Sequence, residues 1–249
     1  MINVQELSAE KTVLRDPQDL GGNKDNSYEE IIKLICDLNW NGLSREGLTD
    51  IAWVYYFFSV QFCETVGLAR ILYPNDKKLE ELDHGERDTD NLSPYPGVVE
   101  INERVDHCEF MRRTLELTPI ELTRRLRLQS IGEAYLILTR SMDPATRAVS
   151  LPTYEDGGLE QVFRSILRAP HWDTALLRAF KHFLEGHVAL DSDPVHGHGS
   201  LCRFLEPNAK VFDLWTAFGQ MLIEAAPELR KSERAPAEAA MSMQPTASC

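Results

Sequence analysis

The segment from Ser44 to Leu72 constrains the fold more than any other part of the sequence. Its apolar residues recur at intervals of three and four, which is the spacing of one face of an α-helix. The residues that carry this pattern are Ile51, Val54, Tyr55, Phe58, Phe62 and Val66. Pro74 cannot continue a helix, so the pattern predicts an end near Leu72. Apolar residues also occupy most of the remaining surface of this segment, which predicts a central, buried helix.

Other segments carry the same helical periodicity, and together they predict about seven helices. They cover residues 27–38, 98–117, 118–143, 159–167, 172–190 and a last stretch that ends near 226. Residues 75–96 are charged and rich in turn-forming pairs, so we expect a surface loop there with room for one short helix. No pair of strands with turn chemistry occurs. The predicted fold class is therefore all-α, a helical bundle.

The two ends of the chain differ from this pattern. Residues 1–26 are polar and predict a flexible N-terminal arm, whereas residues 227–249 are rich in Ala, Pro, Ser and Met and predict a disordered tail. A single helical domain over residues 27–226 lies between them. The N-terminus lacks a basic region followed by an apolar run, so we expect a cytoplasmic protein without a secretory signal.

Charge excludes several functions. The formal net charge is −13, and a nucleic-acid phosphate backbone requires a basic surface that such a chain does not supply. The longest apolar run, residues 51–60, is about half the length of a membrane span. We therefore expect no nucleic-acid partner and no membrane.

The five cysteines are odd in number and contain no CxxC pair, which predicts reduced thiols rather than a disulfide framework.

Histidine and acidic residues are concentrated between positions 187 and 198. His187 and Asp191 are four residues apart, so on a helix they project from one face and can share a metal ion. Pro194 breaks the helix before His196 and His198 and can direct another imidazole to the same place. Mixed nitrogen and oxygen donors suit iron or manganese. A surface pair of His and Asp is the alternative interpretation of the first two residues.

Two other predicted helices carry candidate donors. Glu100, Glu103 and His107 lie on the predicted third helix, where solvated charges are the alternative. Glu64 lies inside the apolar central helix, where a carboxylate is costly unless it is paired or coordinated. Pairing with Arg70 is the alternative there. Carboxylates and imidazoles that converge from several helices are how a bundle builds a dimetal site.

These positions resemble the haem-oxygenase-like diiron oxidases, a family of iron-containing redox enzymes. The resemblance covers about residues 28–225 and depends on few positions. Glu64 matches the family's first ligand, Glu100 with His107 the second motif, and the His187-xxx-Asp191 pair the last. The family also implies an acidic ligand, for which we prefer Glu155 over Asp156 and Glu160, and a closing histidine, for which we prefer His196 over His198. The implied ligands are Glu64, Glu100, His107, Glu155, His187, Asp191 and His196.

The resemblance implies a haem-oxygenase-like bundle that holds two Fe(II) ions and uses O2 as a co-substrate. It further implies a small-molecule substrate in specialised metabolism, such as a free amino acid or a metabolite derived from one. Desaturation, oxidative C–C cleavage and N-oxygenation all stay open. A fatty-acid oxidative decarboxylase of the same family is an alternative. A homodimer is common among such bundles, and no sequence feature argues for it here.

Two rival hypotheses come from other classes. A metal-free, thiaminase-like helical enzyme requires a nucleophilic cysteine, and Cys63 beside Glu64 is the one suggestive thiol. A non-catalytic helical partner protein would instead leave Glu64, His107 and His187 scattered in space. The mutual distances of these side chains distinguish the hypotheses.

Overall fold

The computed structural model describes residues 27–87, 92–191 and 198–230, with the side chain of Asp191 outside that description. The helices are α1 (Tyr28–Cys36), α2 (Arg45–Leu72), α3 (Lys77–Arg87), α4 (His107–Glu116), α5 (Leu122–Arg140), α6 (Pro144–Ala148), α7 (Leu151–Glu155), α8 (Gly158–Ile166), α9 (Ala175–Asp191), α10 (Gly199–Cys202) and α11 (Val211–Ala225). Two 3-10 turns occur at Trp40–Gly42 and Pro227–Leu229. Within the described ranges, β pairing is limited to an isolated bridge between Tyr95 and Val99. The all-α prediction is confirmed. The described residues form eleven helices instead of the expected seven, because short helices such as α6, α7 and α10 had no clear periodicity.

Helix α2 is the centre of the molecule, as predicted. Its N-terminus is capped by Ser44, whose hydroxyl oxygen accepts a hydrogen bond from the Gly47 backbone N–H at 3.0 Å. Helices α3, α4, α5, α6, α9 and α11 all contact it. Helix α5 approaches closely at Gly132, where an added Cβ would lie 2.1 Å from the Phe57 ring. The missing side chain therefore allows the two helices to pack tightly.

The predicted starts of two helices were wrong. Helix α4 begins at His107 rather than near Val98, because the Asp106 side chain accepts a hydrogen bond from Glu109 N at 2.7 Å and caps the helix there. Helix α5 begins at Leu122 because Glu121 caps it through the backbone N–H groups of its first turn. Thr118, at which the helix was predicted to begin, instead accepts a hydrogen bond from Leu176 N at 3.2 Å.

Helix α3 is the short helix for which the expected surface loop over residues 75–96 had room. Asp76 Oδ1 accepts hydrogen bonds from the backbone N–H groups of Lys78 and Leu79 at 2.9 and 3.0 Å, which starts the helix. Leu79, Leu82 and Glu86 share its inner face and are buried. The helix thus directs a carboxylate into the core.

The packed chain extends beyond the predicted boundary at residue 226. Leu229 is buried, and its carbonyl accepts a hydrogen bond from Asn39 N at 3.0 Å. Glu228 accepts a hydrogen bond from the Ser44 hydroxyl at 2.5 Å. The rest of the predicted tail and the N-terminal arm lie outside the described residues. None of the helices in the described ranges has both the length and the apolar character needed to cross a bilayer.

Candidate metal centre

Five side chains that can bind a metal ion converge in the core beside α2. They come from five elements: Glu86 in α3, His107 in α4, Glu155 in α7, His187 in α9 and His198 just before α10. Glu86 and His107 are each 4% exposed and Glu155 is 7% exposed. Burying so many ionisable groups is costly unless they compensate one another or bind an ion. These five residues are called the core cluster below.

The carboxylates and imidazoles of the core cluster are in direct contact. Glu86 Oε1 lies 2.9 Å from His198 Nδ1, and that same nitrogen lies 3.4 Å from Glu155 Oε2. Glu86 Oε2 lies 2.5 Å from His107 Nδ1. One ligand atom from each of Glu86, Glu155 and His198 can be chosen so that all three lie within 4.8 Å of one another, which is close enough to share an ion.

Several atoms of the core cluster that could bind a metal ion are not used in hydrogen bonds. The Phe183 carbonyl oxygen accepts a hydrogen bond from His187 Nδ1 at 2.7 Å, so the proton is on Nδ1 and the Nε2 lone pair is available. Among the described residues, neither His107 Nε2 nor Glu86 Oε2 has a hydrogen-bond partner, although both atoms are buried. The short contact between Glu86 and His107 therefore lacks the direction of a hydrogen bond. Buried nitrogen and oxygen atoms without a hydrogen-bond partner fit a site for a cation.

The surroundings shift the pKa values of the core cluster in opposite directions. Burial raises the pKa of Glu86, but the charges of His107 and His198 outweigh it and leave the pKa well below its usual value. Burial raises the pKa of Glu155. Burial lowers the pKa of His187 to about 3, and His107 acts in the same direction. Burial also opposes protonation of His198, but Glu155 and Glu86 outweigh it and raise the pKa to about 11.

Aromatic side chains enclose the core cluster. A cavity of about 20 Å³ lies against it, large enough for one water-sized occupant. Its apolar walls are formed by Tyr55, Phe58, Phe62, Leu159 and Phe183. The ring centroids of His107 and His187 are 4.6 Å apart, and that of Phe183 is 4.2 Å from His187. The imidazoles are thus held in a water-poor environment that strengthens electrostatic interactions.

The structure brings together three of the seven ligands implied by the resemblance: His107, Glu155 and His187. The two alternatives to Glu155 lie elsewhere, since Asp156 pairs with Arg203 at 2.7 Å and Glu160 with Arg164 at 2.6 Å. Of the two candidates for the closing histidine, His198 belongs to the core cluster. His196 and the side chain of Asp191 lie outside the described residues.

Two of the implied ligands are not in the core cluster. Glu64 is paired with Arg140 at 2.5 Å and with Arg147 at 3.0 Å, rather than with Arg70. Burial raises the pKa of Glu64, but these hydrogen bonds outweigh it and lower the pKa.

Glu100 is exposed in the turn before α4, where its backbone N–H donates to Glu103 Oε2 at 3.0 Å. Because α4 begins only at His107, Glu100 does not share a helical stripe with that residue. Its predicted place among the ligands therefore has no support in the geometry.

Glu86 is the residue that sequence reasoning missed. A signal for it exists, because Leu79, Leu82 and Glu86 are spaced three and four residues apart and follow the helix-capping residue Asp76. Because the segment is mostly charged, this short apolar face was not recognised, and a surface loop with room for one short helix was predicted. A carboxylate in register with buried leucines indicates a functional group in the core.

The donor set can bind a first-row transition metal ion. Two carboxylates and three imidazoles provide the mixed oxygen and nitrogen ligands that suit iron or manganese. Cys202 Sγ lies 3.8 Å from the His198 carbonyl oxygen, but burial raises the pKa of this thiol and so disfavours a thiolate ligand. The chemistry of the donors, together with the unsatisfied buried atoms, therefore fits a metal centre.

Comparisons with known proteins give no family assignment. The sequence matches no protein-family model and no curated protein, and the fold matches no solved structure. The fold class accordingly rests on the coordinates, and the candidate metal centre rests on the geometry described above.

Proposed function

We propose that this chain is an O2-dependent, non-haem diiron oxidase or oxygenase with a haem-oxygenase-like fold. The observation that carries the proposal is the convergence of Glu86, His107, Glu155, His187 and His198 from five elements into an aromatic-walled part of the core. Such a set resembles the inward-facing carboxylates and histidines of dimetal helical bundles. Asp191 lies four residues after His187 in α9 and is the candidate for a sixth ligand.

Two Fe(II) ions bound by these residues would supply O2 activation. The protein's own contribution is to hold the ligands and to keep water away. The Phe183 carbonyl fixes the ring of His187, while Glu86 and Glu155 position His198. The apolar walls around Phe58 and Phe62 limit the access of water to the ions that the site would hold.

The proposed substrate is a small organic molecule, either a free amino acid or a related metabolite. The support for this class is the resemblance of the ligand pattern alone. Oxidative decarboxylation of a fatty acid is the second candidate from the same family. The cavity of about 20 Å³ is too small to hold such a molecule, so the substrate has to bind beside the core cluster rather than inside this cavity.

The two rival hypotheses fit the structure less well. In a non-catalytic partner protein Glu64, His107 and His187 would be scattered, yet His107 and His187 lie in contact. Glu64 does not join them, because it is paired with Arg140 and Arg147. A metal-free thiol enzyme would need an activated cysteine, and the Cys63 thiol instead faces the thiol of Cys108.

Anaerobic titration with Fe(II) tests the proposed function. We expect the reduced chain to retain about two equivalents of iron after gel filtration, measured by elemental analysis, and to consume O2 afterwards. Glu86→Ala should lose most of the bound iron, because it removes a carboxylate from the centre. Glu100→Gln is the matched control and should retain it. A wild-type chain that retains no iron would rule out the proposal.

A further inference from the structure

Cys63 and Cys108 bring two thiols together where α2 crosses α4. Their sulfur atoms are 2.8 Å apart, although the residues are separated by 45 positions in the sequence. Cys108 Sγ also lies 3.2 Å from the Ser59 carbonyl oxygen of α2, which holds the thiol against that helix. Both cysteines are free, and neither residue is fully buried.

We propose that Cys63 and Cys108 form a redox-modification site, at which a hydroperoxide converts the two thiols into a disulfide that joins α2 to α4. This inference is independent of the proposed function, since it requires no metal ion. A disulfide bond is about 2.0 Å long, so the sulfur atoms need to approach each other by less than about 1 Å. The two sulfur atoms are therefore already close to bonding distance.

The reaction balances with hydrogen peroxide as the oxidant. The sulfur of one cysteine attacks a peroxide oxygen, the O–O bond breaks, and a sulfenic acid and one water form. The second sulfur then attacks the sulfenic sulfur and releases a second water. Two thiols and one peroxide thus give one disulfide and two waters, with both thiol protons ending in water. The two sulfur atoms are oxidised and the peroxide oxygens are reduced.

The position of the pair gives the modification a consequence for the core cluster. Cys108 directly follows His107 in the first turn of α4. A disulfide to Cys63 would fix that turn against the central helix and restrict the movement of the His107 backbone. The other described cysteines, Cys36 in α1 and Cys202 in α10, lie on different elements and are also free.

Peroxide treatment of the full-length, previously reduced chain tests the site. We expect the thiol count in denaturant to fall from the five cysteines of the sequence by two, and to recover after dithiothreitol. Peptide mass spectrometry should show the linked Cys63 and Cys108 peptides with the mass of two hydrogen atoms lost. The Tm should rise by about 5 °C or more, because a crosslink restricts the unfolded chain.

Cys36→Ser is the matched control and should lose two thiols as the wild type does, whereas Cys63→Ser should form no disulfide with Cys108. The wild-type mass spectrum decides the question even if a variant fails to fold. Retention of all thiols would overturn the inference. So would overoxidation of a single cysteine without the linked peptide, or a linked peptide that contains a different pair.

Discussion

His182 and His187 lie on the same helix, α9, but have different surroundings. His182 Nε2 lies 2.8 Å from the Leu92 carbonyl oxygen, and its ring packs on Tyr95. These contacts explain the position of His182 without a metal ion. His187 uses Nδ1 for the Phe183 carbonyl and leaves Nε2 to the core cluster. At the scale of single residues, therefore, hydrogen-bond partners separate a structural histidine from a candidate ligand.

This contrast gives a prediction about metal affinity. His187→Ala should weaken Co(II) binding by at least about 100-fold, since even residues that only orient ligands contribute about 10–100-fold. His182→Ala, on the same helix, should leave the affinity within a few-fold of wild type. Titration followed by the visible Co(II) spectrum measures both. Equal losses in the two variants would indicate a general weakening of α9 rather than loss of a ligand.

The sequence predicted single residues of the centre better than their grouping. His107 and His187 stood out because each lies four residues from a carboxylate, Glu103 and Asp191 respectively. Glu64 stood out because a carboxylate inside an apolar helix is costly, but Arg140 and Arg147, which are distant in sequence, compensate its charge. No local pattern shows which arginine from another helix will meet a carboxylate. Glu86 was missed because its helix has a short apolar face.

At the scale of helices, the capping residues determine where each helix begins and therefore where its functional side chains lie. Periodicity predicted α2 well, because its pattern is long and Ser44 marks the start. It failed for α4, because the apolar residues before Asp106 continue the helical spacing although the backbone turns at Gly97 and Asn102, where φ is 79° and 67°. The cap at Asp106 therefore places His107 at the first position of its helix.

Removing this cap should weaken both the helix and the metal centre. Asp106→Ala should lower the free energy of unfolding by about 1 kcal/mol, because the Glu109 N–H loses its acceptor. Metal affinity should fall as well, since His107 lies in the turn that frays. Denaturant unfolding and Co(II) titration measure the two effects. Asp143→Ala, which removes the comparable cap of α6, is the control and should lower stability alone.

The ion pairs of Glu64 join α2 to α5 and α6 and should make stability depend on pH. The pKa of Glu64 is lowered in the folded state, so its contribution is complete above the unfolded-state value near 4.5 and is lost as the pH falls through the folded value. Glu64→Gln should therefore be less stable than wild type at pH 7. The difference should shrink below about pH 4. Unfolding curves at several pH values measure the difference in stability between the two proteins. A difference that does not change with pH would contradict a stabilising role for the ionised Glu64 carboxylate.

At the scale of the whole molecule, the core cluster ties together parts of the chain that are far apart in sequence. The core cluster takes its side chains from α3, α4, α7, α9 and the residue just before α10. Without a cation, buried carboxylates and imidazoles compensate one another incompletely, as the free His107 nitrogen shows among the described residues. A bound ion would satisfy all five elements together and should stabilise the folded chain rather than one helix.

Metal loading should accordingly raise the Tm of the entire chain in one cooperative transition. At a free metal concentration about 100 times the Kd, binding adds about 2.7 kcal/mol to the free energy of unfolding. For a chain of this size the Tm should rise by roughly 5–10 °C, and a chelator should reverse the change. Calorimetry with Co(II) measures it, and Glu86→Ala should show no shift. A shift of equal size in that variant would mean that the ion binds elsewhere on the acidic surface, because the variant keeps nearly all of that surface charge.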